Sequence, residues 1–248
     1  MYQNYVFDLY GTLVDIHTDE SDPKVWEKLS LFYGYYGAHY TPLELKAAYH
    51  AIIENNESFQ KNEMEAEPRY AHEAFPEIKI EVVFQELFRK KGVQADLELS
   101  IHAGQFFRVL STEYVRLYDG VAELLTAVRG RGKKVYLLSN AQRIFTEYEL
   151  NVLDIAKYFD GILISSEYGT KKPDIRFFDS LLETYHINAK ECIMIGNDAR
   201  SDIAGAKAAG MDTYYIHSNI SPECEVAPEA TYCQMYMDLA QVRTNLKL

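Results

Sequence analysis

The segment Asn4-Tyr5-Val6-Phe7-Asp8-Leu9-Tyr10-Gly11-Thr12 decides how the chain is read. A short apolar run rich in β-forming side chains ends in an acid, and a glycine and a threonine follow closely. This is the pattern of a buried strand, residues 4–8, breaking into a tight loop. The rhythm then changes. From about residue 22 to 113 apolar residues recur at helical spacing, as in Val25-Trp26-Leu29-Phe32-Tyr33, Leu43-Leu45-Ala48-Tyr49-Ile52 and Val82-Val83-Leu87-Phe88. Gly34, Gly37, Pro42, Pro68, Pro76 and Gly92 punctuate that block, so four or five helices are expected.

Beyond Tyr118-Asp119-Gly120, strands and helices alternate. Strands are expected at 133–138, 161–165, 191–195 and 213–217. Amphipathic helices are expected near 121–131, 143–157, 174–184 and 201–209, with a closing helix within Tyr232–Leu246. Such alternation implies right-handed crossovers and a parallel sheet covered on both faces. The expected architecture is α/β: a Rossmann-like core of residues 1–16 and 114–248, with a helical cap of residues 17–113 inserted after the first strand.

Composition narrows the function classes. The net charge of −12 argues against a nucleic-acid groove, which needs a basic face. It does not exclude a phosphorylated small molecule, because a local field can oppose the net charge. No stretch approaches the ~18 apolar residues of a membrane helix. No basic region precedes a long apolar one, so no signal peptide is expected, and a cytoplasmic location is the default. The three cysteines, Cys192, Cys224 and Cys233, are an odd number without CxxC spacing, so neither disulfides nor a zinc site is expected.

In open parallel sheets, ligands bind beyond the carboxyl ends of the strands. There the sequence places Asp8, Ser139-Asn140, a loop with Lys172-Pro173, and Gly196-Asn197-Asp198. Each has an ordinary explanation alone: strand-end acids cap turns, and a proline opens a helix. Their convergence on one rim is the informative observation.

Asp8-Leu9-Tyr10-Gly11-Thr12-Leu13 resembles the first motif of the haloacid-dehalogenase-like superfamily, and Leu137-Leu138-Ser139-Asn140 resembles the second. Glu167 to Asp174, with Lys172-Pro173-Asp174, resembles the third; Ile193 to Ala206, with Asp198 and Asp202, resembles the fourth, acidic one. The resemblance implies a hydrolase in which Asp8 forms an aspartyl ester that water later cleaves. It implies Ser139 and Lys172 as catalytic partners, with Lys172 chosen over Lys171 by the following proline. Tyr10, Thr12 and Asn140 become substrate-binding candidates. Asp8, Tyr10, Asp198 and Asp202 become candidates for holding magnesium, which needs few protein carboxylates.

Two departures leave the chemistry open between two readings. Phosphatases of the superfamily usually carry a second Asp where this chain has Tyr10, and a phenol with a pKa near ~10 is a poor acid at neutral pH. The Asp-x-Tyr-Gly-Thr form is typical of 2-haloacid dehalogenases, which need no metal. Against that stand the Asp198-x-x-x-Asp202 pair and the absence of any arginine between Asp8 and Pro68. Asn197 also occupies a place often held by Asp, which favours Asp198 as the metal ligand and Asp202 beside it or behind it. The expectation is a magnesium-dependent phosphohydrolase of a small phosphorylated metabolite, with a metal-free dehalogenase or a non-catalytic binding protein as alternatives.

Overall fold

The computed structural model describes residues 2–70, 72–223 and 228–248; Cys224 lies outside them. The first strand, β1 (Asn4–Phe7), is buried along its whole length. It leads to β2 (Val14–Thr18) and then to four helices: α1 (Pro23–Tyr35), α2 (Pro42–Glu65), α3 (Ile80–Lys90) and α4 (Leu97–Ser111). The chain returns through β3 (Thr112–Leu117) to α5 (Val121–Gly130), β4 (Lys134–Ser139), α6 (Arg143–Val152), β5 (Gly161–Ile164), the short α7 (Ser165–Tyr168) and α8 (Ile175–Tyr185). It ends with β6 (Cys192–Gly196), α9 (Gly205–Ala208), β7 (Asp212–Ile216), β8 (Tyr232–Gln234) and α10 (Leu239–Asn245).

Six strands form one parallel sheet in the order β5-β4-β1-β6-β7-β8. Side chains alternate across it, as strand geometry requires. Tyr5 and Phe7 join Leu137, Ile193 and Ile195 under α5 and α10, whereas Val6 joins Leu138, Met194 and Leu163 under α8. Phe7 lies in register with Leu137 of β4 and Ile195 of β6. The tips of β1, β4 and β6 are therefore adjacent, and the loops after them share one rim.

Local chemistry explains where the inserted helices begin. Asp22 caps α1 through the Lys24 N–H, and Thr41 and Glu44 form a reciprocal capping box on α2. Val25, Trp26, Leu29 and Tyr33 meet Leu45, Tyr49, Ile52, Phe84, Leu87, Phe88 and Phe107 in a separate apolar cluster. Ile144 and Phe145 of α6 pack against its edge. Gly104 makes that close approach possible, since a Cβ there would lie 2.6 Å from Ile144 Cδ1.

Several elements differ from expectation. β2 and β3 pair antiparallel, from Val14 with Leu117 to Thr18 with Thr112, so the chain leaves and returns to the sheet through a two-stranded ribbon. The helix expected over 143–157 stops at Val152; Asp154 turns left-handed at φ 55°, and residues 156–158 form a 3₁₀ turn. Residues 199–204 wind as a wide π turn before α9, where one α-helix was expected. The closing segment is divided: Tyr232–Gln234 adds an edge strand beside β7, and only Leu239–Asn245 is α-helical. Cys192 is buried and Cys233 exposed, and neither is in a disulfide. Among the described residues, no helix is long and apolar enough to cross a membrane.

The link between α2 and α3 is a strap across the sheet rim. Pro76 makes an antiparallel bridge with Thr170, flanked by Lys171 N–H to Phe75 O (3.0 Å) and Glu77 N–H to Gly169 O (3.1 Å). Gln142, in the loop after β4, donates to Glu77 Oε1 and Ile78 O (both 3.0 Å) and accepts from Ile80 N–H (2.9 Å).

Candidate active site

Asp8 begins where β1 ends, and its N–H still bonds Ile195 O of β6 at 2.9 Å. The chain then turns tightly through Gly11, at φ 88°, with Gly11 N–H on Val14 O (2.8 Å). Any Cβ on Gly11 would lie 2.1 Å from Asn197 Nδ2, so only glycine lets the loops after β1 and β6 touch. Thr12 Oγ1 sits between them, 3.4 Å from both Asp8 Oδ2 and Asn197 Oδ1.

The centre of the site is Lys172, whose ammonium is almost fully buried. Its Nζ donates to Asp8 Oδ1, Asp202 Oδ1 and Leu138 O, each at 2.7 Å. Three donors meet three acceptors, the arrangement that makes a buried cation tolerable. Burial works against the ammonium, but Asp202 and Asp8 outweigh it and hold its pKa above the usual lysine value. Burial pushes the Asp8 carboxyl up, to about 7; Lys172 pulls it down and Asp202 pushes it up again.

Asp202 is a bracing group. Its Oδ2 accepts from the N–H groups of Asn197 (3.0 Å) and Asp198 (2.9 Å), while Oδ1 holds Lys172. Asp198 caps the following turn, with Oδ1 on the N–H groups of Arg200 (2.8 Å) and Ser201 (3.0 Å). Of the two placements expected for Asp202, beside Asp198 or behind it, the structure has the second: Asp202 reaches back beneath the loop that carries Asp198. Asn140 also faces inward: its amide clamps the Lys172 backbone, accepting from N–H (2.8 Å) and donating to O (2.9 Å). Ser139 Oγ is buried with no hydrogen-bond partner among the described residues. A buried orphan hydroxyl at a strand tip beside the Lys172 site is a group that an incoming oxyanion can satisfy.

Tyr10 points elsewhere. Its hydroxyl donates to Glu149 Oε2 at 2.5 Å and lies 3.1 Å from Thr146 Oγ1, both on α6. Arg108 of α4 binds the same carboxylate, Nε to Oε1 at 2.8 Å, and its guanidinium stands 5.7 Å from the Tyr10 ring centroid. Burial and then the charge of Glu149 raise the Tyr10 phenol well above its ordinary range. Glu149, Arg108 and Gln142 were not singled out from sequence, where they look like ordinary polar residues of amphipathic segments. Asp15, in β2, is bound by Arg116 (2.7 Å) and Asn219 (2.9 Å).

The oxygens left for a cation are hard ones. With Asp202 engaged, Asp8 Oδ2 and the second Asp198 oxygen remain. Among the described residues no three His, Cys, Asp or Glu side chains are grouped to hold an ion. The donor set therefore fits magnesium, which keeps several waters and takes one or two carboxylates, and does not fit a closed protein cage.

A doubly wound α/β sheet with a carboxylate–lysine–carboxylate chain at its strand tips is the architecture of a hydrolase class. The family model for haloacid dehalogenase-like hydrolases matches residues 2–210, and the chain belongs to that family. A phosphoserine phosphatase from Thermus thermophilus is 29% identical over 161 residues, covering 62% of this chain and 64% of that protein. A glyceraldehyde 3-phosphate phosphatase from Pyrococcus abyssi is 29% identical over 103 residues, covering 42% and 43%. The chain thus spans less than two thirds of the length of these curated relatives. A 2-haloacid dehalogenase from Pseudomonas syringae pv. Tomato shares the fold over 100% of this chain and 99% of its own, with a TM-score of 0.66 at 20% identity.

Proposed function

We propose that this chain is a magnesium-dependent phosphohydrolase of a small phosphorylated metabolite, with Asp8 as nucleophile. The observation that carries this reading is the charge balance around Lys172. Asp8 and Asp202 bring two carboxylates to one ammonium, and the loop that carries Asp198 is bonded to Asp202 beside them. That surplus repels an anionic substrate until a divalent cation offsets it. Magnesium, held by Asp8 and Asp198, would screen the repulsion between carboxylate and phosphate. Asp8 Oδ1 is fixed on Lys172, which holds the carboxyl in place for attack. Ser139 Oγ would hold a phosphoryl oxygen, the Lys172 ammonium would offset the charge gathered there, and Thr12 would orient the Asp8 carboxyl. Asn140 acts at one remove, by fixing Lys172. Tyr10 takes part through its main chain, since its hydroxyl is engaged with Glu149. Residues 17–113 would form the cap that excludes water, and residues 1–16 and 114–248 the catalytic base. The relatives named as phosphatases support the same substrate class.

Dehalogenation is the second reading, favoured by the residue at position 10. A metal-free site of that kind needs a free cation for the departing halide. Arg108, the arginine beside Tyr10, is neutralised by Glu149, which weakens this alternative. Assays of p-nitrophenyl phosphate and 2-chloropropionate, each with magnesium or with chelator, separate them. Magnesium-dependent phosphate release that disappears in Asp8→Asn is the expected result. Chelator-insensitive chloride release would establish the dehalogenase instead.

A further inference from the structure

We propose that the clasp formed by Tyr10, Glu149 and Arg108 withdraws Tyr10 from proton transfer and restricts the enzyme to phosphoryl donors whose leaving group departs as a stable anion: acyl, aryl and enol phosphates. This rests on the phosphohydrolase reading and deepens it.

The inference comes from where the protons near Asp8 already are. Lys172 donates to Asp8, Asp202 and Leu138 O, so its three N–H bonds are all engaged. Tyr10 has one hydroxyl proton, and it lies in the 2.5 Å bond to Glu149. That carboxylate is itself fixed by Arg108 through Oε1 (2.8 Å) and Oε2 (3.3 Å), and Thr146 closes the other side of the hydroxyl. The clasp joins three elements, the loop after β1, α4 and α6, so the phenol cannot turn without giving up its short bond to a carboxylate fixed between two helices. Thr12 and Ser139 carry alcohols, which are not acids at neutral pH. Among the described residues, no histidine bonds Asp8, Thr12, Ser139, Lys172, Asn197, Asp198 or Asp202. Of the carboxyls on the cap side, Glu77 is held by Gln142 and Ser165, Glu73 pairs with Lys61 and Arg200, and Glu20 faces Arg108 and His50.

The chemistry balances without an acid. A carboxylate oxygen of Asp8 forms a bond to phosphorus, and the bond from phosphorus to the leaving oxygen breaks with its electron pair. That oxygen departs as carboxylate, phenolate or enolate. Water then attacks phosphorus, the Asp8–phosphorus link breaks, and Asp8 returns as a carboxylate. Both protons of the water stay on the product, so R–O–PO₃²⁻ and H₂O give R–O⁻ and H₂PO₄⁻. An alkyl phosphate would have to expel an alkoxide, and lacks the ~10²–10⁴-fold help that a general acid supplies.

The test is the dependence of kcat/KM on leaving-group acidity, which reports the first transfer even if hydrolysis of the aspartyl phosphate limits kcat. Aryl phosphates of phenols with pKa from about 10 downward, acetyl phosphate and ethyl phosphate are assayed with magnesium. The expected result is a rise of roughly tenfold per unit fall in leaving-group pKa, with ethyl phosphate at least about 10²-fold below phenyl phosphate. Tyr10→Phe and Glu20→Gln leave that slope unchanged whatever they do to the absolute rate, their folding checked by circular dichroism. A flat slope, ethyl phosphate within tenfold of phenyl phosphate, or a slope steepened by either substitution overturns the inference while the phosphohydrolase reading stands. No turnover of any phosphate overturns both.

Discussion

At the scale of single residues, the site depends on one ammonium paired with two buried carboxylates. Lys172→Met keeps the volume and removes the charge, leaving Asp8 and Asp202 facing each other without a cation. Stranding buried charges in this way costs about 3–5 kcal/mol. The pH dependence has a definite sign. A carboxyl whose folded pKa is raised binds protons more readily when folded, so its contribution is most favourable below the unfolded value and is lost as pH rises through the folded one. For Asp8 that window runs from about 4 to about 7 even with Lys172 present. Urea unfolding of Lys172→Met is therefore expected to show its largest deficit near pH 8 and a smaller one near pH 5. Gly196 makes a sharper prediction. A Cβ there would lie 2.3 Å from Asp202 Oδ2, so Gly196→Ala must push Asp202 off the Asn197 and Asp198 N–H groups and loosen Lys172. Loss of at least about tenfold in kcat, with destabilisation of about 1–3 kcal/mol, is expected from displaced buried hydrogen bonds. Unchanged thermal melting and unchanged turnover would show that Asp202 is not the brace described here. The meeting of Asp8 and Ser139 at one rim was legible because each closes an apolar strand, and strand tips of a parallel sheet must converge; Lys172, beyond α7, was picked out by the proline that follows it. The inward turn of Asn140 was not, because a side chain turned toward a backbone amide reads in sequence like one turned toward a ligand.

At the scale of elements, the clasp between α4 and α6 shows a different limit. Arg108 and Glu149 are 41 positions apart, and their pairing depends on the packing of the two helices across Gly104. No local periodicity encodes such an approach. The paired β2 and β3 were missed for the same reason: each alternates like a strand, but neither has a partner until α1–α4 have folded between them. The Arg108–Glu149 pair is mostly buried, so its two members should be strongly coupled in stability. Arg108→Met or Glu149→Leu alone is expected to cost about 2–4 kcal/mol, because each leaves an uncompensated charge. The double variant should cost less than the sum by more than about 1 kcal/mol. Additive losses in a thermal-melt cycle would mean that the two helices are held by their apolar contacts alone. Glu149→Leu also frees the Tyr10 hydroxyl, so the cycle is best read beside Tyr10→Phe, which removes that hydroxyl without disturbing the ion pair.

At the scale of the whole molecule, the inserted helices have their own apolar cluster yet are fastened to the sheet at both ends. The clasp ties α4 to the loop after β1; the strap ties residues 75–80 to the loops after β4 and β5 through Thr170, Gln142 and Lys171. A chain of 248 residues with two apolar bodies would ordinarily unfold in steps. Fastenings at both ends, with Ile144 and Phe145 packed between the bodies, should join those steps. The chain has one tryptophan, Trp26, buried against Tyr49 and Phe107 at 5.3 and 5.4 Å between ring centroids, so its fluorescence reports on the inserted helices alone. Far-UV circular dichroism reports on the whole chain. The two urea transitions are expected to coincide for the unaltered protein. In Glu149→Leu combined with Gln142→Ala, both fastenings are weakened, and the Trp26 transition should fall about 1 M below the other, as a loss of a few kcal/mol implies at ordinary denaturant sensitivity. If the transitions were already separate in the unaltered protein, the inserted helices would be a freely hinged unit, and the strap and clasp would be contacts of its closed position alone.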